Sequence, residues 1–244
     1  VPGDFPATRH SIVRGVASAD EAVRSFAWNG LVESYWRTVY KYARLKWGLA
    51  REDAEDLTQA FFARALEKAF FDRYDAGKAR FRTFLRTCLD GFAANEWKAA
   101  RRQKRGGGAQ LLSLDFAGAE GELVPRELRS EEDVEGYFQR EWVRSLFGIA
   151  VQALRAHCER AGKQTHFELF AAYDLDERAP DPRPSYDDLA RAHGLPLTQV
   201  TNHLAWARRE FRRIVLEKLR ELTASEEEFR AEAREILGAD PRVS

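Results

Sequence analysis

From Leu197 to Ile214 the apolar residues Leu197, Val200, Leu204, Ala207, Phe211 and Ile214 recur at steps of three and four. That spacing lays them on one stripe of a helix several turns long. Just upstream, Ser185 and Asp188 stand three residues apart, a capping-box-like helix start, with Leu189 and Ala190 as buried positions and Gly194 to permit a tight turn. A short helix, a glycine turn and a longer helix make the pattern of a helix-turn-helix, whose second helix enters the DNA major groove. Opposite the stripe lie Thr198, Gln199, Asn202, Ala205, Trp206 and Arg209, flanked by Thr201 and His203. The competing reading is a purely structural helical hairpin. The glycine offset and the cations at Arg208, Arg209, Arg212 and Arg213 weigh against it.

Helical spacing governs the rest of the chain as well. Phe26, Leu31, Val32, Tyr35, Trp36, Val39, Tyr40, Ala43 and Trp47 keep it until Gly48. A second helix starts near Arg51–Glu52–Asp53, with acids where a helix N-terminus favours them. Ala54, Leu57, Phe61, Ala65 and Ala69 make its buried stripe, and Asp56, Gln59, Ala60 and Ala63 point the other way. Residues 70–80 read as a loop, with Asp72, Asp75 and Gly77 as loop formers. A helix over Phe81–Arg105 then mixes Phe81, Phe84, Phe92 and Trp97 with Arg82, Arg86, Lys98, Arg101, Arg102, Lys104 and Arg105. Cations neutralise phosphates and aromatic faces hold unstacked bases, so this stretch points to nucleic acid. The plainer alternative makes the aromatics core and the cations a solvated face.

The fold class expected is all-α: two helical domains, at 26–105 and 131–222, joined by a flexible linker. Residues 1–25 form a leader, 106–130 a glycine-rich and then acidic linker, and 223–244 an acidic tail. With 44% hydrophobic residues among 244, the chain can bury real cores. Its 39 basic and 39 acidic residues balance, so the argument for nucleic acid rests on segregated blocks of charge and not on the total. Two cysteines, Cys88 and Cys158, and no membrane-length apolar run or signal-peptide core point to a cytoplasmic protein.

Asp53-Ala-Glu-Asp-Leu-Thr-Gln59 followed by Phe61-Phe62, the aromatic-basic helix and the helix-turn-helix together resemble a bacterial RNA polymerase sigma factor. The type resembled is the two-domain extracytoplasmic-function (ECF) type of the sigma-70 family. The resemblance implies a promoter-specificity subunit, not an enzyme, with core RNA polymerase and promoter DNA as partners and no cofactor. Asp53, Glu55, Asp56 and Gln59 correspond to region 2.2, which docks on the β′ clamp helices; the β flap is a further polymerase contact. Arg80, Arg82, Trp97, Lys98, Arg101 and Arg102 fall in regions 2.3 and 2.4, which melt and read the −10 element. Thr198, Gln199, Thr201, Asn202, His203, Trp206, Arg208, Arg209 and Arg212 fall in region 4.2, which reads the −35 element. The linker is expected to thread the positively lined channels of the polymerase. An anti-sigma factor is a further partner to expect.

The sequence departs from the family pattern at Ala60, where an acid usually follows the glutamine. Gly91 and Asn95 stand where Asn and Asp are frequent, and Thr201-Asn202-His203 where Lys/Arg-Ser-Arg is frequent. A phosphate on Thr58 would add about −1.5 to −2 charges beside Ala60. Thr58 is therefore a candidate for phosphorylation by a Ser/Thr kinase; otherwise its hydroxyl bonds back along its own helix. The alternative function is a stand-alone helix-turn-helix regulator that needs no polymerase. A nuclease or recombinase requires clustered carboxylates or a nucleophile, and Asp53, Glu55 and Asp56 do not share one face. His157, Cys158 and His166 lack a four-ligand zinc frame.

Overall fold

The computed structural model describes residues 11–95, 114–123, 130–175 and 184–238. All regular structure among them is helical. The chain divides into two compact units, 1–146 with 219–244, and 147–218.

In the first unit α1 (Ile12–Gly15) is followed by the long α2 (Glu21–Lys46), α3 (Arg51–Glu67), a 3-10 turn (Phe70–Arg73), α4 (Phe81–Asn95) and α5 (Phe116–Gly121). The first half of α6 (Glu131–Arg160), the last turn of α9 (Leu197–Glu221) and α10 (Glu226–Leu237) complete it. Asp20 caps α2 by accepting from the amides of Ala22 and Val23. Two or more faces of α2 are covered, because Leu31, Tyr35, Val39, Tyr40, Tyr42 and Ala43 are all buried. Tyr35 meets Phe81 of α4 and Trp142 of α6, with ring centroids 5.7 and 6.2 Å apart. Phe61 of α3 meets Phe92 of α4 at 5.8 Å. Ala69, in the left-handed region at φ 48°, ends α3 and turns Phe71 into the core.

Three expectations change here. Part of the leader belongs to the core: Ile12, Val13 and Val16 are buried, and the Ser11 hydroxyl donates to Thr223 O at 2.6 Å. Gly30 permits that packing, since a Cβ there would lie 2.8 Å from Ile12 Cδ1. The expected flexible linker contains α5, which docks Phe116 against Trp36 and Tyr40 and pairs Glu120 with Arg44. Boundaries at 130 and 222 are not those of the compact units. Residues 131–146 carry Tyr137, Phe138 and Trp142 into the first core, and Glu141 pairs there with the buried Lys41 at 3.0 Å. The acidic tail contributes the buried Phe229 and Ala233 of α10.

The second unit holds the remainder of α6, then α7 (Gln164–Phe170), a π-type turn (Ala171–Leu175), α8 (Tyr186–His193) and α9 up to Lys218. Leu169, Leu189, Val200 and Leu204 form its core. Phe211 packs between Phe147 and Phe170, at 5.8 and 5.3 Å. Ser185 and Asp188 form the full reciprocal capping box of α8, and the Ser185 hydroxyl and amide hold the Asp188 carboxyl below its ordinary range. Gly194, at φ 63°, closes α8 in the left-handed conformation and starts the turn into α9.

Candidate functional site

The residues singled out in the sequence occupy three surfaces. The first is the N-terminal half of α3. Ala54, Leu57 and Phe61 are fully buried, which leaves Asp53, Glu55, Asp56 and Gln59 partly exposed on the remaining faces. Glu55 is paired with Arg51 at 2.8 Å, one turn away. The surface is thus acidic, built on a rigid helix and able to meet a basic partner. Thr58 is not part of it. Its side chain is fully buried and its hydroxyl donates to Ala54 O at 2.7 Å, so a kinase has no access to it in this fold. The expectation of a phosphorylation site there is withdrawn.

The second surface is the start of α4. Phe81 and Phe92 are core residues that present no open face to a base, and Phe84, which packs on Tyr74 and Phe81, is partly exposed. Arg80 is about one-third exposed; Arg82 is only 5% exposed, with its guanidinium 5.0 Å over the Trp142 ring. Both are ion-paired to α10. Arg82 pairs with Glu232 and, at 3.1 Å, with Glu235; Arg80 pairs with Glu235 and approaches Glu232 at 3.7 Å. Gln139 also donates to Glu235. Arg86 is shared between Asp90 at 3.5 Å and Glu135 at 3.6 Å.

Burial pushes the Glu232 carboxyl up to about 7, a rise that Arg82 and Arg80 only partly offset and that the Glu235 and Glu228 charges reinforce. Burial acts in the same direction on Glu235, but there the Arg80 hydrogen bond and the Arg82 and Arg80 charges win and lower it. Trp97, Lys98, Arg101 and Arg102, the other residues expected on this surface, lie outside the described residues.

The third surface is the outer face of α9. Thr198, Gln199, Thr201, Asn202, Arg209 and Arg212 are exposed, as the stripe demands. Three residues expected beside them are engaged elsewhere. Arg208 is held by the Asp174 carboxylate at 2.9 and 3.0 Å and by the Tyr186 hydroxyl, which raises its pKa further. Trp206 packs against His157 and His166 under the Lys163 ammonium, 4.0 Å from its ring centre. His203 stacks on His166 at 3.8 Å. Desolvation, then the neighbouring His203 and Lys163, lowers the His166 pKa to about 4. Among the described residues no group of three or more His, Cys, Asp or Glu is placed to hold a metal ion. No helix of the described residues is long and apolar enough to cross a membrane.

Sequence reading missed the partners of these cations. Ser225 and Glu228 have N-cap and N3 spacing, and Glu228, Glu232 and Glu235 recur at four and three beside Phe229 and Ala233. That is the signal of an amphipathic helix with an acidic inner edge. What it would pack against has no trace in local sequence.

Residues 31–103, which run from within α2 through α3 and α4, match the family model for sigma-70 region 2. The match supports a sigma-factor role, promoter recognition together with RNA polymerase. No curated protein and no solved structure matches the chain.

Proposed function

We propose that this chain, which carries a sigma-70 region 2 match over residues 31–103, is a sigma factor of the two-domain ECF type. It binds core RNA polymerase, in the cytoplasm where that enzyme works, and directs it to promoters. The region 2 match is the observation that carries this reading. Docking on the β′ clamp helices falls to Asp53, Glu55, Asp56 and Gln59, because α3 leaves all four partly exposed around its buried stripe. Strand capture at the −10 element falls to the basic segment that starts with Arg80 and Arg82 at the head of α4 and continues through Trp97, Lys98, Arg101 and Arg102. Readout of the −35 element falls to the exposed face of α9, with Asn202 and Gln199 toward base edges and Arg209 and Arg212 toward phosphates.

The engaged state of Arg208, Trp206 and His203 favours a supporting role for them: they fix α9 on the second unit so that its exposed face is held rigidly. The glycine turn between α8 and α9 also suits a stand-alone DNA-binding regulator. Run-off transcription with purified core enzyme on a promoter pool separates the two. The sigma reading expects specific transcripts only when the chain is added, and their loss in Asp53→Ala/Asp56→Ala. DNA binding without any association with core enzyme would establish the second reading instead.

A further inference from the structure

The acidic inner edge of α10 lies where a polyanion would have to lie to use the cations at the start of α4. Glu232 and Glu235, three residues apart on one helix face, together engage both Arg80 and Arg82. Carboxylate oxygens here take the donors that phosphate oxygens take in a nucleic-acid complex. The contact has two layers. Glu228, Phe229 and Ala233 are buried and fasten the helix, whereas Glu235 and Arg80 are each about one-third exposed. The outer layer is therefore open to competition by another anion. The inner layer is not an optimised ion pair either, since burial leaves Glu232 with a raised pKa despite two arginines.

We propose that α10 is a built-in mimic of the nucleic-acid backbone, its Glu235 carboxylate occupying Arg80 and holding it out of DNA until a phosphate displaces that carboxylate. The proposal rests on the reading above that the start of α4 faces promoter DNA. It adds to that reading a regulation by the chain's own C-terminal segment. A released Arg80 would add a phosphate contact, so the salt dependence of DNA binding reports its release directly.

Fluorescence anisotropy of the full chain on a fluorescein-labelled forked −10 DNA, from ~50 to ~200 mM salt, tests it. Glu235→Gln is expected to tighten binding several-fold and to steepen the slope of log K against log salt by roughly 0.7–0.9, one arginine released. Glu232→Gln/Glu235→Gln is expected to add little to that slope change, because Arg82 stays buried against Trp142. Adding Arg80→Ala to Glu235→Gln should remove the gain. Glu227→Gln, on the exposed side of the same helix, removes an equal charge and should leave the slope alone.

Unchanged affinity and slope in Glu235→Gln, with an unaltered melting curve, overturns the proposal; so does an equal gain in Glu227→Gln. If the double variant fails to fold, the single variant at the partly exposed Glu235 still decides. Core-polymerase binding, measured in parallel, keeps the two readings apart. A chain that binds core enzyme but shows no slope change refutes the mimic alone. A chain that gains DNA affinity without ever binding core enzyme refutes the sigma reading alone.

Discussion

Glu228 ties the start of α4 to the start of α10, so its loss should be felt in the first unit. Its carboxylate accepts from the Phe81 amide at 2.8 Å, from the Ala224 amide at 2.8 Å and from the Tyr74 hydroxyl at 3.0 Å. The Phe81 amide belongs to the first turn of α4, where no intrahelical acceptor exists. The Ala224 amide precedes the Ser225 cap of α10 and is buried. Tyr74 keeps a second acceptor in Ala79 O, so the phenol loses less. Glu228→Ala therefore strands two buried amides. At ~1–3 kcal/mol for each unsatisfied donor, with some water entering at this 8%-exposed side chain, the expected destabilisation is about 3–4 kcal/mol. Glu228→Gln keeps one acceptor oxygen and turns an NH2 toward the other amide, for roughly half that loss. Urea unfolding followed by circular dichroism gives the magnitude. Hydrogen exchange at Phe81 gives the location, because its amide should lose protection in Glu228→Ala while amides in the second unit keep theirs. A change below about 0.5 kcal/mol with Phe81 still protected would refute the assignment of Glu228 as the link between α4 and α10.

On α9, Asn202→Ala should cost about 1–3 kcal/mol of discrimination at one base pair, measured by competition among −35 variants, and equal weakening on all variants would remove it from readout. Arg209→Ala should weaken all sequences and lower the salt slope by about 0.9, whereas Arg208→Ala should lower the melting temperature of the second unit through loss of its Asp174 pair. His166 has a folded pKa near 4, below its unfolded value of about 6.5, so it binds fewer protons folded than unfolded across that interval. Its neutral burial stabilises the fold above about pH 6.5, and that contribution is lost as pH falls toward 4; an NMR titration of the ring with a midpoint near 6.5 would refute it. Thr58→Val keeps the volume and removes only the hydroxyl bonded to Ala54 O, so it should cost about 1 kcal/mol or less in a urea melt and leave core-enzyme affinity unchanged. Incorporation of phosphate at Thr58 in the folded chain would contradict its burial.

What the sequence by itself determined was local and periodic. The stripe through Leu197, Val200, Leu204 and Ala207 dictates a helix and its buried face: Val200, Leu204 and Ala207 are fully buried, whereas Leu197, in the first turn, is 45% exposed. Ser185, Asp188 and Gly194 dictate where α8 starts and stops, because capping and left-handed backbone are decided within a few residues. The same periodicity set α2 and α3 to within a few residues of their observed bounds. What only the tertiary structure decided was which side chains are occupied by distant ones. Arg82 and Glu232 are 150 residues apart in sequence, and no local pattern in α4 distinguishes a cation waiting for phosphate from one already paired. Arg208 and Arg209 are adjacent and chemically alike, yet the 100° turn between them points one at Asp174 and leaves the other exposed. Thr58 and Gln59 divide in the same way, one sealed against Ala54 O and the other at the surface. A helix fixes the direction of each side chain, but its charge is free or neutralised according to what another element brings to that direction, and that is a property of the packed chain alone.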